Sequence, residues 1–264
     1  MHRFFVAPEL LAGIDPNVEG AGELSLSIQL PEKLAHQVRD VLHLGVGEQL
    51  MLLDNSGDEV LASIAKSSRA GVEVQVLERR AGKSESPVRI VLCQGLLKSA
   101  RFEWILEKGT ELGVAVFAPV LCRRSMAGLE EAGPAKIQRW QRIIQEAAEQ
   151  CGRSRLPELL PIRPLMHALN DIPQGALALM PWEEEQDQSL HNVLASQAAR
   201  NQSTRADQSV TVVLFVGPEG GLMAEEVMLA QRYGVQVVSL GSRILRAETA
   251  ALAAVANIMY ELEQ

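Results

Sequence analysis

An α/β fold is the prediction for most of this chain, and three observations carry it. From Val88 onward, short apolar runs alternate with stretches of helical spacing, as the strand–helix units of a mainly parallel sheet do. Before that, apolar and polar residues alternate and are broken by Gly and Asn turns, the pattern of a small β-rich unit. Between the two lies a polar segment with Gly and Pro, Arg79 to Pro87, which reads as a linker. With 264 residues the chain suffices for one large domain or two modest ones, and for a core that needs no metal or disulfide staple.

The elements follow in order. Leu24-Ser25-Leu26-Ser27-Ile28-Gln29-Leu30 alternates strictly, which predicts a half-buried strand, and a helix is expected near Ala35–Leu42. Glu48 to Asp54 reads as a strand, Asn55-Ser56-Gly57-Asp58 as a turn, Glu59 to Ile64 as the returning strand, and Gly71 to Leu77 as another. Beyond the linker, Val88–Cys93 is a short buried strand. Phe102, Ile105, Leu106, Gly109 and Leu112 keep helical spacing until Gly113. Val116–Val120 is a strand. Ile137, Trp140, Ile143, Ile144, Ala147 and Cys151 mark a long amphipathic helix ended by Gly152. Ala176–Met180 is a strand, and the acidic, Gln-rich stretch Glu183 to Asp207 holds a helix around Leu190–Ala199. The apolar strand Val210–Val216, a helix over Ala224–Tyr233, the strand Val235–Leu240 and a last helix over Glu248–Glu261 complete the pattern.

Composition excludes several classes. Apolar residues make up 47% and charged residues 22%, the balance of an ordinary globular protein and not of a disordered or fibrous one. No apolar run approaches the roughly 18–20 residues of a membrane span, and the N-terminus lacks the apolar stretch of a signal peptide. Cys93, Cys122 and Cys151 are odd in number and far apart, which predicts a reducing cytoplasm. His2, His36, His43, His167 and His191 show no metal-ligand spacing, so no metal is expected. The net charge of −8 is unevenly spread: residues 81–160 carry 12 Lys and Arg against 9 Asp and Glu, while both flanking segments are acidic. A basic face inside an acidic protein suits phosphate contact, although a merely solvated surface would give the same count.

Chemistry is expected at the loops that leave the C-terminal ends of the strands. Three stand out: Ala178 to Trp182, Phe215 to Leu222, and Leu240 to Ala250. The second packs Gly217, Pro218, Gly220 and Gly221 around Glu219, and these glycines serve either close backbone approach to a ligand or a tight strand-to-helix turn. In the third, Arg246 and Glu248 flank a helix start, where Glu248 and Thr249 also suit the helix dipole and cap. The apolar Ile244-Leu245 before them suits the edge of a flat heterocycle. A phosphate loop ending in Gly-Lys-Ser/Thr, a Gly-x-Ser-x-Gly elbow and a His-Glu-x-x-His motif are all absent.

Four segments in this order resemble one known family. They are Lys98 with Glu107-Lys108-Gly109-Thr110-Glu111-Leu112-Gly113-Val114, Gln145 to Arg153, Val216 to Gly221, and Leu240 to Ala250. The chain resembles the bacterial 16S rRNA uridine-N3 methyltransferases of the SPOUT superfamily along its whole length, including Arg3-Phe4-Phe5 and the segment from His36 to Leu42. The resemblance implies a PUA-like β-barrel at residues 1–75 that helps bind RNA, and a SPOUT-type α/β domain at 76–264 with a C-terminal trefoil knot. It implies S-adenosyl-L-methionine as cofactor, a homodimer, and methylation of N3 of a uridine in 16S rRNA of the 30S subunit. It implies cofactor contacts from Leu179, Pro181, Gly217, Gly220, Leu240, Gly241, Ile244, Leu245, Thr249 and Ala250. Arg246 is expected to stabilise developing charge, and Glu219 to order its loop or serve as a base. RNA contact is expected from Arg3, His36, Arg39, Lys98, Arg101, Arg124, Arg153 and Arg155, with His43 beside them.

The match has three departures: His43 replaces a common Arg, Ser99-Ala100 a common Gly-Asp, and Met223 the usual Ser or Thr helix cap. Loss of that cap costs about 1 kcal/mol unless another group satisfies the amides. Alternatives kept open are a ribose 2′-O-methyltransferase of the same superfamily, a ribosome-binding protein with a degenerate cofactor site, and a small-molecule enzyme with a phosphate loop at Gly217–Gly221.

Overall fold

Two units organise the chain: Met1–Glu85 with Ala148–Leu156, and Ser86–Ala147 with Pro157–Gln264. The structure is a computed structural model that describes residues 1–14, 26–125, 133–204 and 210–263. Leu24 and Ser25 of the first expected strand, and the end of the polar stretch at 205–207, lie outside the described residues.

The first unit is built on a five-stranded sheet in the order β1 (His2–Phe5), β3 (Gln49–Leu53), β4 (Asp58–Ser68), β5 (Gly71–Ala81) and β2 (Ser27–Gln29). Alternation explains its core: Val72, Val74 and Val76 of β5 are buried with Val60, Ala62 and Ile64 of β4, and Phe4, Leu50 and Leu52 join them. The expected helix near Ala35–Leu42 is a short α1 (Glu32–His36) followed by one π turn, Gln37–Val41. Exposed His43 then takes a left-handed φ of 54°, a conformation His tolerates better than most residues. The strand expected over Gly71 to Leu77 runs further. Pairing with β4 carries β5 on to Ala81, with Asp58 opposite Ala81.

The segment 148–156 belongs to this unit because of ionic and backbone staples. Glu59, only 5% exposed, takes Arg3 Nη1 at 2.7 Å and Arg80 Nη2 at 3.1 Å, while Arg3 Nη1 also reaches the Gly152 carbonyl at 3.3 Å. The Phe5 amide donates to Glu149 at 3.0 Å. Glu85 accepts from Arg153 Nη2 at 2.8 Å and from the Ser154 and Arg155 amides at 3.0 Å each.

Burial alone would raise the Glu59 carboxyl, but the hydrogen bonds and charges of Arg3 and Arg80 outweigh it and hold the group below its ordinary range. A depressed folded value contributes stability at neutral pH that is lost as pH falls through the carboxylate range. Melting curves from pH 7 down to pH 3 should therefore fall more steeply for the wild type than for Glu59→Gln. Parallel curves would show that Glu59 carries no such linkage.

The second unit holds a parallel sheet. Its strands are β6 (Val88–Gly95), β7 (Val114–Leu121), β8 (Glu158–Leu159), β9 (Arg163–Pro164), β10 (Leu177–Pro181), β11 (Val210–Val216) and β12 (Gln236–Val238). Their order is β12-β10-β11-β6-β7-β8, with β9 also on β7, and every pairing is parallel. The helices are α2 (Ser99–Glu111), α3 (Pro134–Cys151, of which Ala148 onward belongs to the first unit), α4 (Leu165–Asn170), α5 (Leu190–Thr204), α6 (Ala224–Arg232) and α7 (Ala247–Leu262). Side chains of a strand point alternately to the two faces. Leu92, Leu179 and Leu214 accordingly pack with Phe102, Trp140, Leu194 and Val255 of α2, α3, α5 and α7. Cys93, Ala178 and Phe215 pack on the other face with Leu169 of α4 and Val227 of α6. Both faces are covered, which is why β11 is apolar at every position but Thr211.

Burial pushes the Cys93 and Cys122 thiols up to about 12, whereas Cys151 is exposed. Since the thiolate is the reactive form, native protein at pH 8 should take up one equivalent of iodoacetamide per chain, at Cys151, and three after denaturation. Mass mapping of an early label on Cys93 would contradict this.

Candidate active site

β12, β10 and β11 are neighbours in the sheet, so the loops leaving their C-terminal ends meet. They enclose a cavity of about 270 Å³. Pro181, Trp182 and Glu183 line it after β10, Gly217 to Leu222 after β11, and Ser239 to Ala247 after β12, with Ala250 from the first turns of α7. This is where an open parallel sheet presents its ligand site.

Neighbouring strands and loops shape the glycine-rich loop. Buried Gln94, at the end of β6, donates through Nε2 to the Gly217 carbonyl at 3.2 Å and to that of Gly95 at 3.0 Å. A Cβ on Gly95 would lie 2.5 Å from the Pro218 nitrogen, so the backbones touch there because residue 95 has no side chain. Arg124 Nη1 caps the Gly220 carbonyl at 3.1 Å. The missing Ser or Thr before α6 is compensated by buried Glu226, which accepts from the Met223 amide at 2.9 Å and from the Arg123 amide at 2.8 Å. It supplies the carboxylate half of a capping box.

Charge is concentrated on the rim. Arg101, in the first turn of α2, reaches Glu219 at 3.0 Å and Glu248 at 3.6 Å. Glu183 rests with Oε1 2.7 Å from where a Gly221 side chain would begin. Arg243 and Arg246 are exposed and line the cavity, and Arg246 makes no ion pair among the described residues.

The structure gathers eight of the ten expected cofactor residues on this cavity: Pro181, Gly217, Gly220, Leu240, Gly241, Ile244, Leu245 and Ala250. Leu179 lies two residues deeper, fully buried inside β10 between β11 and β12, and supports the wall from beneath. Thr249 is exposed on α7 and is not part of the lining. The expected RNA residues divide into engaged and open ones. Arg153, 7% exposed, is held by Glu85, and Arg3 by Glu59. His36 and Arg39 both contact Asp40, at 2.6 and 2.8 Å. Hydrogen bonding by Arg39, seconded by His36, holds the Asp40 carboxyl well below the usual carboxylate range against the effect of burial. Arg101 and Arg124 are turned to the cavity loops. Lys98 and Arg155 are exposed and form no ion pair among the described residues.

Gln94, Gly95, Glu183 and Arg243 carry no site role in the sequence reading, although Arg243 lies within one of its three loops. The Gln-Gly pair at the end of an apolar strand was the available signal for the first two.

This arrangement matches known proteins. The RNA methyltransferase domain family matches residues 84–259. A ribosomal RNA small subunit methyltransferase E of Bacillus subtilis is 31% identical over 86% of this chain and 88% of its own length. The chain belongs to the ribosomal RNA small subunit methyltransferase E family. It is therefore a methyltransferase. The methyltransferase E of Synechocystis is 33% identical over 99% of this chain and 78% of its own. Among solved structures, a ribosomal RNA small subunit methyltransferase E from Neisseria gonorrhoeae bound to S-adenosyl methionine superposes with a TM-score of 0.80 at 29% identity, covering 98% of this chain and 97% of its own. A methyltransferase from Legionella pneumophila, also with its cofactor, superposes at 0.74 and 27% identity, with coverages of 98% and 97%. The methyltransferase E relatives thus span both units of this chain.

Proposed function

We propose that this methyltransferase transfers a methyl group from S-adenosyl-L-methionine to N3 of a uridine in 16S rRNA, in the cytoplasm, with the 30S subunit as substrate. The observation that carries the reading is the convergence of three strand-end loops on one cavity. Its rim suits the cofactor. Ile244 is 85% exposed and offers an apolar face to a flat base. A Cβ on Gly241 would meet nothing within 4 Å among the described residues, leaving room against the backbone. Glu183 and Glu219 suit a ligand carrying positive charge. When bound there, S-adenosyl-L-methionine supplies a methyl group on a cationic sulfur.

The chain's own residues then have defined tasks. Pro181, Leu240, Ile244 and Leu245 would hold the cofactor's base, and the glycine loops would let the backbone come close to the bound cofactor. Methylation at N3 would require the N3 proton to pass to solvent water, with negative charge spreading to O2 and O4 of the uracil. Arg246 stabilises that charge. Glu219, tied to Arg101, orders its loop. In-line positioning and exclusion of water supply much of the remaining acceleration.

In the same reading the C-terminal segments form a trefoil knot around the cofactor, and the N-terminal sheet closes as a PUA-like barrel that helps hold RNA. Lys98 and Arg155 supply phosphate contacts. The enzyme acts as a homodimer. Tyr260, 75% exposed beside a second cavity lined by Leu240, Leu194 and Asn257, supports a covered face there.

The test is methyl transfer from labelled S-adenosyl-L-methionine to 30S particles lacking the modification, followed by nucleoside digestion and mass analysis. The expected product is 3-methyluridine. A methyl group on ribose would replace this reading with a 2′-O-methyltransferase.

A further inference from the structure

We propose that Arg101 is a positioning residue that locks the two walls of the cofactor cavity together; the inference rests on the cofactor reading above. One guanidinium joins three chain segments: its own helix α2, the glycine loop after β11 through Glu219 at 3.0 Å, and the first turn of α7 through Glu248 at 3.6 Å. Glu219 belongs to the cavity lining, and Glu248 lies two residues beyond Arg246, which also lines it. Arg101 thus ties together two of the chain segments that supply the cavity lining.

The charges explain why the lock matters. Two carboxylates converge on one cation, and their side chains are only 23% and 15% exposed. Glu248 Oε2 is shielded from solvent and has no hydrogen-bond partner among the described residues. Without Arg101 the pair would face each other as partly buried like charges, and separation of the loops would relieve that repulsion. The planar fork of an arginine can hold two carboxylates in fixed geometry, which the point charge of a lysine does less well. Arg101 therefore acts on cofactor geometry through Glu219 and Glu248, a different task from the RNA contact expected of it in sequence.

Calorimetric titration of the full-length protein with S-adenosyl-L-methionine tests this. Arg101→Ala is expected to weaken cofactor binding about ten-fold, the scale of coupling among residues of one ionic network. Adding Glu219→Gln to Arg101→Ala removes the repulsion and should recover several-fold of the loss. Arg101→Lys should lie between wild type and Arg101→Ala, and it serves as the test if Arg101→Ala fails to fold. The KM for 30S particles should stay near the wild-type value in Arg101→Lys. Unchanged cofactor affinity with a raised KM for particles would overturn the proposal and make Arg101 an RNA contact. Lowered thermal stability with unchanged affinity would overturn it in favour of a purely structural ion pair. Wild-type protein that does not bind the cofactor would overturn the cofactor reading itself, a result distinct from equal binding by wild type and variants.

Discussion

Replacing Arg246 with alanine is expected to lower kcat/KM for methyl transfer by about 10²–10³, the usual effect of removing one donor aimed at developing negative charge. The side chain is exposed on the cavity and forms no ion pair among the described residues, so the fold does not depend on it. Its backbone does the structural work: Arg246 precedes α7 in an extended conformation, and its carbonyl accepts from the Ala250 amide at 2.8 Å. Alanine keeps both. Stability should then stay within about 0.5 kcal/mol of wild type, as for exposed positions generally. Single-turnover rates with saturating cofactor, measured beside melting curves, separate the two effects. Activity within a few-fold of wild type would remove Arg246 from the mechanism.

Gly95→Ala is expected to cost both stability and cofactor affinity. The added methyl would lie 2.5 Å from the Pro218 nitrogen and 2.8 Å from the Gly217 carbonyl carbon. These are backbone atoms, and they cannot rotate aside. Nor can Gly95 retreat, because β6 is paired on both sides, with Gln94 opposite Val216 and Gly95 opposite Val120. Overpacking of this kind costs about 1–3 kcal/mol. The strain should be relieved where the structure is softest, by moving the Gly217–Gly221 loop. Cofactor binding should fall about ten-fold or more with it, since a shift near 1 Å in a positioning element suffices for large losses. Urea unfolding and calorimetry on the same preparation measure both. Gly133→Ala is the control, because a Cβ there meets nothing within 4 Å among the described residues. Wild-type values for Gly95→Ala in both measurements would mean that the loop yields freely and that β6 does not hold it.

Periodicity located most elements of the α/β unit well. The apolar run Val210–Val216 coincides with β11, and the last helix, expected over Glu248–Glu261, runs Ala247–Leu262. Both are long signals with one interpretation. Short elements carried none. β1 is four residues whose strand character comes from lying parallel to β3, with Phe4 opposite Leu52. β8 and β9 are two residues each and exist only as pairings with β7. The segment 148–156 begins as the end of a helix, yet it joins the first unit through Arg3, Phe5 and Glu85, partners far away in the chain.

The candidate site divides in the same way. Loop composition pointed to Gly217, Gly220, Gly241, Ile244, Leu245 and Arg246, because glycines after an apolar strand and apolar residues before a helix start are local patterns. Positive charge did not have a local meaning. Arg3, Arg101, Arg124 and Arg153 all read as cations available to phosphate, and folding gives each of them an acceptor within the protein. An arginine is equally positive on a surface and in a staple, and the difference lies in which carboxylate or carbonyl the tertiary structure brings within about 3 Å. What the amino-acid order determined alone was the longer strands and helices of the α/β unit and the loops between them, since each follows from periodicity and turn chemistry within a short window. What only the tertiary structure decided was which loops share a cavity, that Gln94 and Gly95 brace it, and which charges stay open to a ligand, because those depend on contacts between residues far apart in the chain.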